Sequence, residues 1–281
     1  MINNIQKIGI GTVQFGTHYG ISNEFGKTPA GEVSRILASA RDNHITLIDT
    51  ASAYGDAESV LGRHDIEEFQ VVSKFLPVKV NGSIVNQCED SLGRLGISNL
   101  YGYLAHRSLE LLHEEDSWKQ LLKVKSLNLA KKVGFSLYHP EDLDLLLKYK
   151  FYPDIIQVPY SYFDRRFEKH MINLQKNGCE IHVRSVFLQG LFFLDPASLS
   201  NYFNEVKPII LNLRNTVTHL PASLLNFVIE KPFVDKVIVG AENHRQFIQN
   251  ITGLHLGSEL PELHTEISES ILNPSKWPNA L

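Results

Sequence analysis

The sequence predicts an α/β protein folded as a (β/α)8 TIM barrel, and three observations carry that prediction. Eight short β-branched runs recur along 281 residues, amphipathic segments separate them, and the first run lacks the glycine spacing of an open dinucleotide-binding sheet. The strand candidates are residues 7–12 (KIGIGT), 46–50 (TLIDT), 70–75 (QVVSKF) and 101–106 (YGYLAH). They continue with 132–137 (KVGFSL), 155–160 (IIQVPY), 180–186 (EIHVRSV) and 236–241 (KVIVGA). Right-handed crossovers return each strand beside its predecessor until the sheet closes. In GIGTVQFG, Gly9, Gly11 and Gly16 are spaced too widely at the end to make G-x-G-x-x-G.

Between the strands, AGEVSRILASARDN, SIVNQCEDSLGRLG and PEDLDLLLKY repeat apolar residues at three and four, the spacing of amphipathic helices. Gly96 and Gly178 fall where glycine ends a helix. Residues 198–232 exceed the needs of one crossover and read as two helices, the second being PASLLNFVIEKP. The stretch after Gly257 reads as one more helix outside the repeat. No linker or charge block divides the chain, so residues 1–281 are expected to form a single domain with an extra C-terminal helical segment.

Composition narrows the function. Hydrophobic residues at 43% and charged residues at 21% are those of an ordinary globular protein, which excludes a disordered or fibrous chain. A net charge of -4 argues against a general grip on nucleic acid. No run is long enough to span a bilayer, and the N-terminus has no secretory hydrophobic region. Cys88 and Cys179 are widely separated and make neither a disulfide framework nor a thiolate metal motif, so a cytoplasmic setting is expected. The histidines show no paired spacing for a metal.

In such a barrel, side chains at the carboxyl ends of strands point into the site. Strand two ends at Asp49, strand three delivers Lys74, strand four ends at His106, and Tyr54 lies in the loop beyond strand two. Each alone has a structural explanation as a cap, a surface residue or rim packing. Together on one rim they require mutual compensation. The arrangement suits acid–base chemistry at a carbonyl: an ammonium at Lys74 would lower the pKa of the Tyr54 phenol, Asp49 would hold Lys74, and His106 would donate to the carbonyl oxygen.

The stretch DTASAYGDAESVLG resembles the aldo-keto reductase signature D-T-A-x-x-Y-G-x-x-E-x-x-L-G, with Asp49, Tyr54, Gly55, Glu58, Leu61 and Gly62 in place. VVSKF is similar to the strand bearing that superfamily's catalytic lysine, and SLGRLGISNLYGYLAHR to the segment ending in its catalytic histidine; the likeness runs from Gly9 to Asn250. The resemblance implies that Tyr54 is the general acid/base, that Lys74 and Asp49 tune it, and that His106 orients the carbonyl. It implies a nicotinamide cofactor at the barrel mouth, usually NADPH, so NADP is expected ahead of NAD. Ser136 and Gln157 match positions that hold the carboxamide. RSVFLQGLF, with Arg184, Ser185, Phe187, Gln189 and Gly190, matches the loop after strand seven, and VIVGAENHRQFIQN, with Gly240, Ala241, Asn243, Gln246 and Asn250, matches the last strand and the adenosine-binding helix start. Gly11 and Thr12 at the end of strand one complete the expected cofactor contacts.

This chain departs from the family pattern at several points. Arg184 stands where an aromatic residue stacks on the nicotinamide, and Leu137 replaces an asparagine. Gly240 and Gln246 stand where strongly NADPH-selective relatives have Lys and Arg, with His244 and Arg245 as possible compensation, which leaves the choice between NADP and NAD open. The family's N-terminal hairpin has no counterpart before strand one. Phe15, Tyr19, Phe75 and Arg107 are the expected contacts to a small aldehyde, ketone or sugar-like substrate. Arg107 and Arg184 raise an anionic substrate as a hypothesis, with contact to the cofactor's phosphates as their other role. A regulatory nicotinamide-binding barrel with little turnover, and a lyase or isomerase without nicotinamide, are the competing functions.

Overall fold

A computed structural model describes residues 2–113 and 116–278; the ends of the expected 1–281 span lie outside the described residues. Eight parallel strands close into a barrel in sequence order: β1 (Ile8–Gly11), β2 (Leu47–Asp49), β3 (Gln70–Phe75), β4 (Leu100–Ala105), β5 (Ala130–Ser136), β6 (Ile155–Pro159), β7 (Glu180–Arg184) and β8 (Lys236–Gly240). Closure is made by β1 against β8, with Ile8 opposite Val237 and Gly11 opposite Gly240. The crossovers carry α1 (Ala30–Asp42), α2 (Ala57–Leu61), α3 (Ile84–Leu95), α4 (Ser117–Ser126), α5 (Pro140–Lys148), α6 (Glu168–Lys176), α7 (Lys207–Thr216) and α8 (Leu220–Ile229), and α9 (His244–Thr252) follows β8.

Local chemistry explains these elements. In α3 the Ser83 hydroxyl accepts from Asn86 N, capping the start; Ile84, Cys88, Leu92 and Leu95 form one buried face; and Gly96 ends the helix at φ 68°, a left-handed position that glycine occupies without a Cβ penalty. Gly178 does the same after α6 at φ 86°. Among the described residues, one turn of helix (Ile2–Ile5) precedes β1.

Strand periodicity divides the core. Outward residues such as Ile48, Val71, Tyr103 and Phe135 meet the helices in the main apolar layer, whereas Leu47, Val72, Leu104, Ile155 and Ile238 pack together as a separate inner plug. A further cluster joins α7, α8 and the C-terminal segment through Phe203, Leu213, Leu220 and Trp277.

That segment differs from the expected helix. After Gly257 it runs without regular structure to a single turn (Glu269–Leu272) and a 3-10 turn (Pro274–Lys276). Pro274 stops the turn, and Ile267, Ile271, Leu272 and Trp277 are buried in a cluster with the loops after β6 and β7 and with α7. Among the described residues no helix is long and apolar enough to cross a membrane.

Candidate active site

At the carboxyl end of the barrel lies an open cavity holding about 1160 Å³ of free space including its mouth. Asp49 ends β2 and Lys74 stands in β3, two residues past the partner of Asp49 in the sheet, so both side chains turn inward on the same rim. Lys74 Nζ donates to Asp49 Oδ1 at 2.8 Å, to Oδ2 at 2.7 Å and to Thr50 O at 2.9 Å. Lys74 is wholly buried and Asp49 is 3% exposed, so each charge depends on the other. Gln157 Nε2 adds a bond to Asp49 Oδ1 at 2.7 Å.

Tyr54 Oη sits 3.4 Å from Lys74 Nζ, and the ammonium also lies 4.9 Å from the phenol ring centre. The loop that holds Tyr54 is fixed from several sides. Ser52 donates both its N–H and its hydroxyl to Lys74 O, at 3.1 and 2.9 Å. Gly16 and Gly55 let two backbones touch: a Cβ on Gly16 would stand 1.7 Å from Tyr54 O, and one on Gly55, itself at φ 58°, 2.5 Å from Gly16 O. Behind them Glu58 of α2 accepts from Ser73 Oγ at 2.5 Å and from Arg94 Nε at 2.7 Å, tying the signature helix to β3 and α3.

His106 follows β4, its N–H bonded to Phe75 O, and its ring meets that of Tyr54 edge-on at 5.7 Å. Burial, then the charges of Lys74, Arg184 and Arg107, push its pKa down to about 3, so the ring is neutral at physiological pH. The Tyr54 phenol departs from expectation. Burial first, and then the Asp49 carboxylate, hold its pKa above the ordinary value, against an opposing pull from Arg184. Burial lowers the Lys74 pKa, with Asp49 resisting. Because Asp49 is bonded directly to the ammonium, the field that would acidify the phenol is largely cancelled.

The cavity wall includes Gly11, Thr12, Tyr19, Asp49, Tyr54, His106, Ser136 and Arg184, together with Ser185, Phe187, Gln189, Gly190, Gly240 and Gln246. Lys74 and Gln157 stand one layer behind it. The β7 loop is unusual in its backbone: Ser185, Leu188 and Gln189 all have positive φ, at 63°, 45° and 53°, before Gly190 at 92°. Such strain persists only where surrounding structure imposes it.

Several expected contacts fall elsewhere. Phe15 is fully buried in the main core, and Phe75 packs on Tyr103 outside the barrel, because strand alternation turns Lys74 inward and its successor outward. The same alternation takes Arg107, after inward His106, to an exposed position off the wall, and Ala241, after inward Gly240, into the core. Asn243 caps α9, and Asn250 lies in its last turn, off the wall. With Arg107 removed, the anionic-substrate hypothesis rests on Arg184, which stacks 4.3 Å over Tyr138 and donates to Leu137 O at 2.9 Å.

Sequence reasoning missed Gln14, Ser22, Phe193 and Glu242 on the wall. Gly240 held a signal for one of them: a Cβ there would lie 2.6 Å from Gln14 Oε1. Among the described residues, Gln14 Oε1, His106 Nδ1 and Gln157 Oε1 are buried and find no hydrogen-bond partner. The Gln157 amide oxygen, beside Ser136 in the sheet, fits the amino group of a carboxamide, and the neutral imidazole fits a carbonyl oxygen.

Comparison with known proteins agrees with this geometry. The sequence model of the Aldo/keto reductase family matches residues 7–264. An aldo-keto reductase of Mycolicibacterium vanbaalenii is 28% identical over 181 residues, which cover 61% of this chain and 64% of that relative's length. Among solved structures, an aldo-keto reductase from Bacillus halodurans in its holo form superposes with a TM-score of 0.72 at 20% identity, covering 91% of this chain and 88% of that one. An aldo/keto reductase from Klebsiella pneumoniae in complex with NADP and acetate gives 0.63 at 24% identity, covering 91% and 87%. The structural likenesses establish a shared fold. A (β/α)8 barrel with this match over most of its length defines the class: the chain belongs to the aldo/keto reductase family.

Proposed function

We propose that the chain is an NAD(P)-dependent oxidoreductase that reversibly reduces the carbonyl of a small aldehyde, ketone or sugar-like compound, with Tyr54 as general acid/base. The observation that carries this reading is Lys74 Nζ at 3.4 Å from Tyr54 Oη, on the wall of a cavity that His106 also faces. A bound nicotinamide would supply the hydride that adds to the carbonyl carbon. Ser136 and its sheet neighbour Gln157 are the residues available to hold its carboxamide.

The chain's own groups handle the proton. With its pKa raised, Tyr54 rests as a neutral phenol, the form needed to protonate the alkoxide oxygen that reduction creates. An alkoxide is more basic than a phenolate, so the transfer runs downhill without prior acidification. The phenolate left behind faces the Lys74 ammonium at 3.4 Å and feels the opposing pull of Arg184, the two cations nearest the charge that develops only during reaction. Asp49 keeps that ammonium charged and aimed. Neutral His106 donates a hydrogen bond to the same oxygen without competing for its proton.

Tyr54→Phe tests the assignment. Carbonyl reduction should fall by about 10²–10⁴-fold with dinucleotide affinity retained, measured on a panel of aldehydes, ketones and sugars. Unchanged turnover would overturn the role of Tyr54, and tight dinucleotide binding without turnover by the unaltered protein would favour a regulatory subunit.

A further inference from the structure

A second cavity opens beside the mouth and shares Glu242 with it. Its other walls are Phe25, Glu32 and Arg35 on one side and Asn243, His244 and Arg245, at the start of α9, on the other. A dinucleotide lying along the loops after β7 and β8 would pass from the first cavity into the second, where TIM barrels commonly seat phosphate at a helix N-terminus.

Here that seat is filled. His244 N, in the first turn of α9, donates to Glu32 Oε2 at 2.7 Å, reaching across from α1. Gln246 N donates to Asn243 Oδ1 at 2.9 Å, and Glu242 N to Gln246 Oε1 at 2.7 Å. Backbone donors that would grip a phosphate are therefore bonded to the protein's own side chains, one of them a carboxylate. The bond from His244, followed by that from Arg35, holds the Glu32 carboxyl below its ordinary pKa, so it is ionised at neutral pH. Glu242, 8% exposed, adds a second acidic group. On the cationic side, Arg35 is engaged by Glu32, and Arg245 lines the cavity from an exposed position, where solvent screens its charge. A phosphate dianion entering here would have to displace the Glu32 carboxylate from His244 N, beside Glu242, whose pKa burial raises. Ribose hydroxyls would instead find acceptors, and the exposed ring of Phe25 offers a face for a base.

We infer that the second cavity receives the adenosine ribose of a dinucleotide without a 2′-phosphate, so that this chain selects NADH over NADPH with Glu32 as the discriminating residue. The inference rests on the reading of the mouth as a nicotinamide site and reverses the expectation of NADP that the family resemblance carries.

Calorimetric titration of the full chain with NADH and NADPH tests it, alongside the nicotinamide-free fragments adenosine 5′-monophosphate and adenosine 2′,5′-bisphosphate. NADH should bind at least about tenfold tighter than NADPH, and the two fragments should follow the same order. Glu32→Ala, which frees His244 N–H and removes the charge, should narrow the NADH/NADPH ratio about fivefold or more; Glu32→Gln, which keeps the shape, should narrow it in the same direction. NADPH binding as tightly as NADH, or a ratio unmoved in both variants, would overturn the inference alone. Binding of neither dinucleotide would overturn the nicotinamide reading and the inference with it.

Discussion

The two ends of this barrel carry the same four kinds of side chain, and only one end has the form of a site. At the mouth stand Asp49, Tyr54, Lys74 and His106. At the base, where strands begin, stand Glu180, Tyr101, Lys132 and His182. The base set is closed on itself: Tyr101 Oη donates to Glu180 Oε2 at 2.6 Å, Lys132 donates to Tyr101 Oη at 2.9 Å and to Glu180, and His182 shares a 2.6 Å hydrogen bond with Glu180. At the mouth the Lys–Tyr contact is long, and the phenol and imidazole border a void. Four buried polar atoms without partners lie there, on Gln14, Thr50, His106 and Gln157, against His182 Nδ1 at the base. Between the two sets sits the plug of Leu47, Val72, Leu104, Ile155 and Ile238. Residue types define a reactive centre only when some of their hydrogen bonds are left for a ligand to complete.

The largest expected contrast comes from removing each lysine. Lys74→Met leaves Asp49 buried without its cation, which should cost about 3–5 kcal/mol of stability and abolish carbonyl reduction. Lys132→Met leaves Glu180 bonded to Tyr101 and His182 near solvent; a loss of about 1 kcal/mol with turnover intact is expected. Denaturant unfolding with steady-state kinetics on both variants checks the pair. Equal loss of turnover would show that the base supports the chemistry and would break the contrast.

How far this contrast was legible in the sequence depends on how locally it is encoded. Asp49, Lys74 and His106 could be found because each ends or nearly ends an apolar run, and strand ends in a barrel converge. Phe75 and Arg107 went astray by one residue, since a shift of one along a strand exchanges the inner face for the outer. Phe15 looked like a mouth residue because its loop is long, yet the turn Val13–Gly16 rolls its ring into the core. Glu32 gave no signal at all: in sequence it is an acid in the first turn of an amphipathic helix, and only the packing of α1 against α9 brings it to His244. The C-terminal stretch read as a helix, but its apolar side chains are buried from a mostly irregular path, with one turn that stops just before Pro274.

Acid sharpens the comparison at intermediate size. His106, with a folded pKa near 3 against an ordinary 6.5, binds fewer protons folded than unfolded; the stability present above 6.5 is lost as pH falls toward 3, on the order of 1–2 kcal/mol by pH 5. At the base, burial pushes the Glu180 carboxyl up, but its bonds to His182, Lys132 and Tyr101 prevail and hold it at about 2, so its contribution is present above 4.5 and lost between 4.5 and 2. His106→Asn should flatten the stability profile between pH 6.5 and 4.5, and Glu180→Gln should alter its slope below 4.5. Unfolding midpoints across pH would show whether the mouth begins to lose stability at higher pH than the base.

The smallest effect is the most discriminating, because it changes one oxygen at the base as Tyr54→Phe does at the mouth. Tyr101→Phe removes a donor to Glu180 and an acceptor for Lys132, while these two remain paired with each other. Loss of these two hydrogen bonds at a partly exposed site, with the ion pair kept, should cost about 1 kcal/mol. The ring still packs on the inner plug, so strand register and the mouth above it should not shift. Carbonyl reduction, its pH profile and dinucleotide affinity should therefore match the unaltered protein while the unfolding midpoint falls slightly. A change in the pH profile would mean that the base communicates with Tyr54 through the apolar plug, and that the separation of the two ends is incomplete.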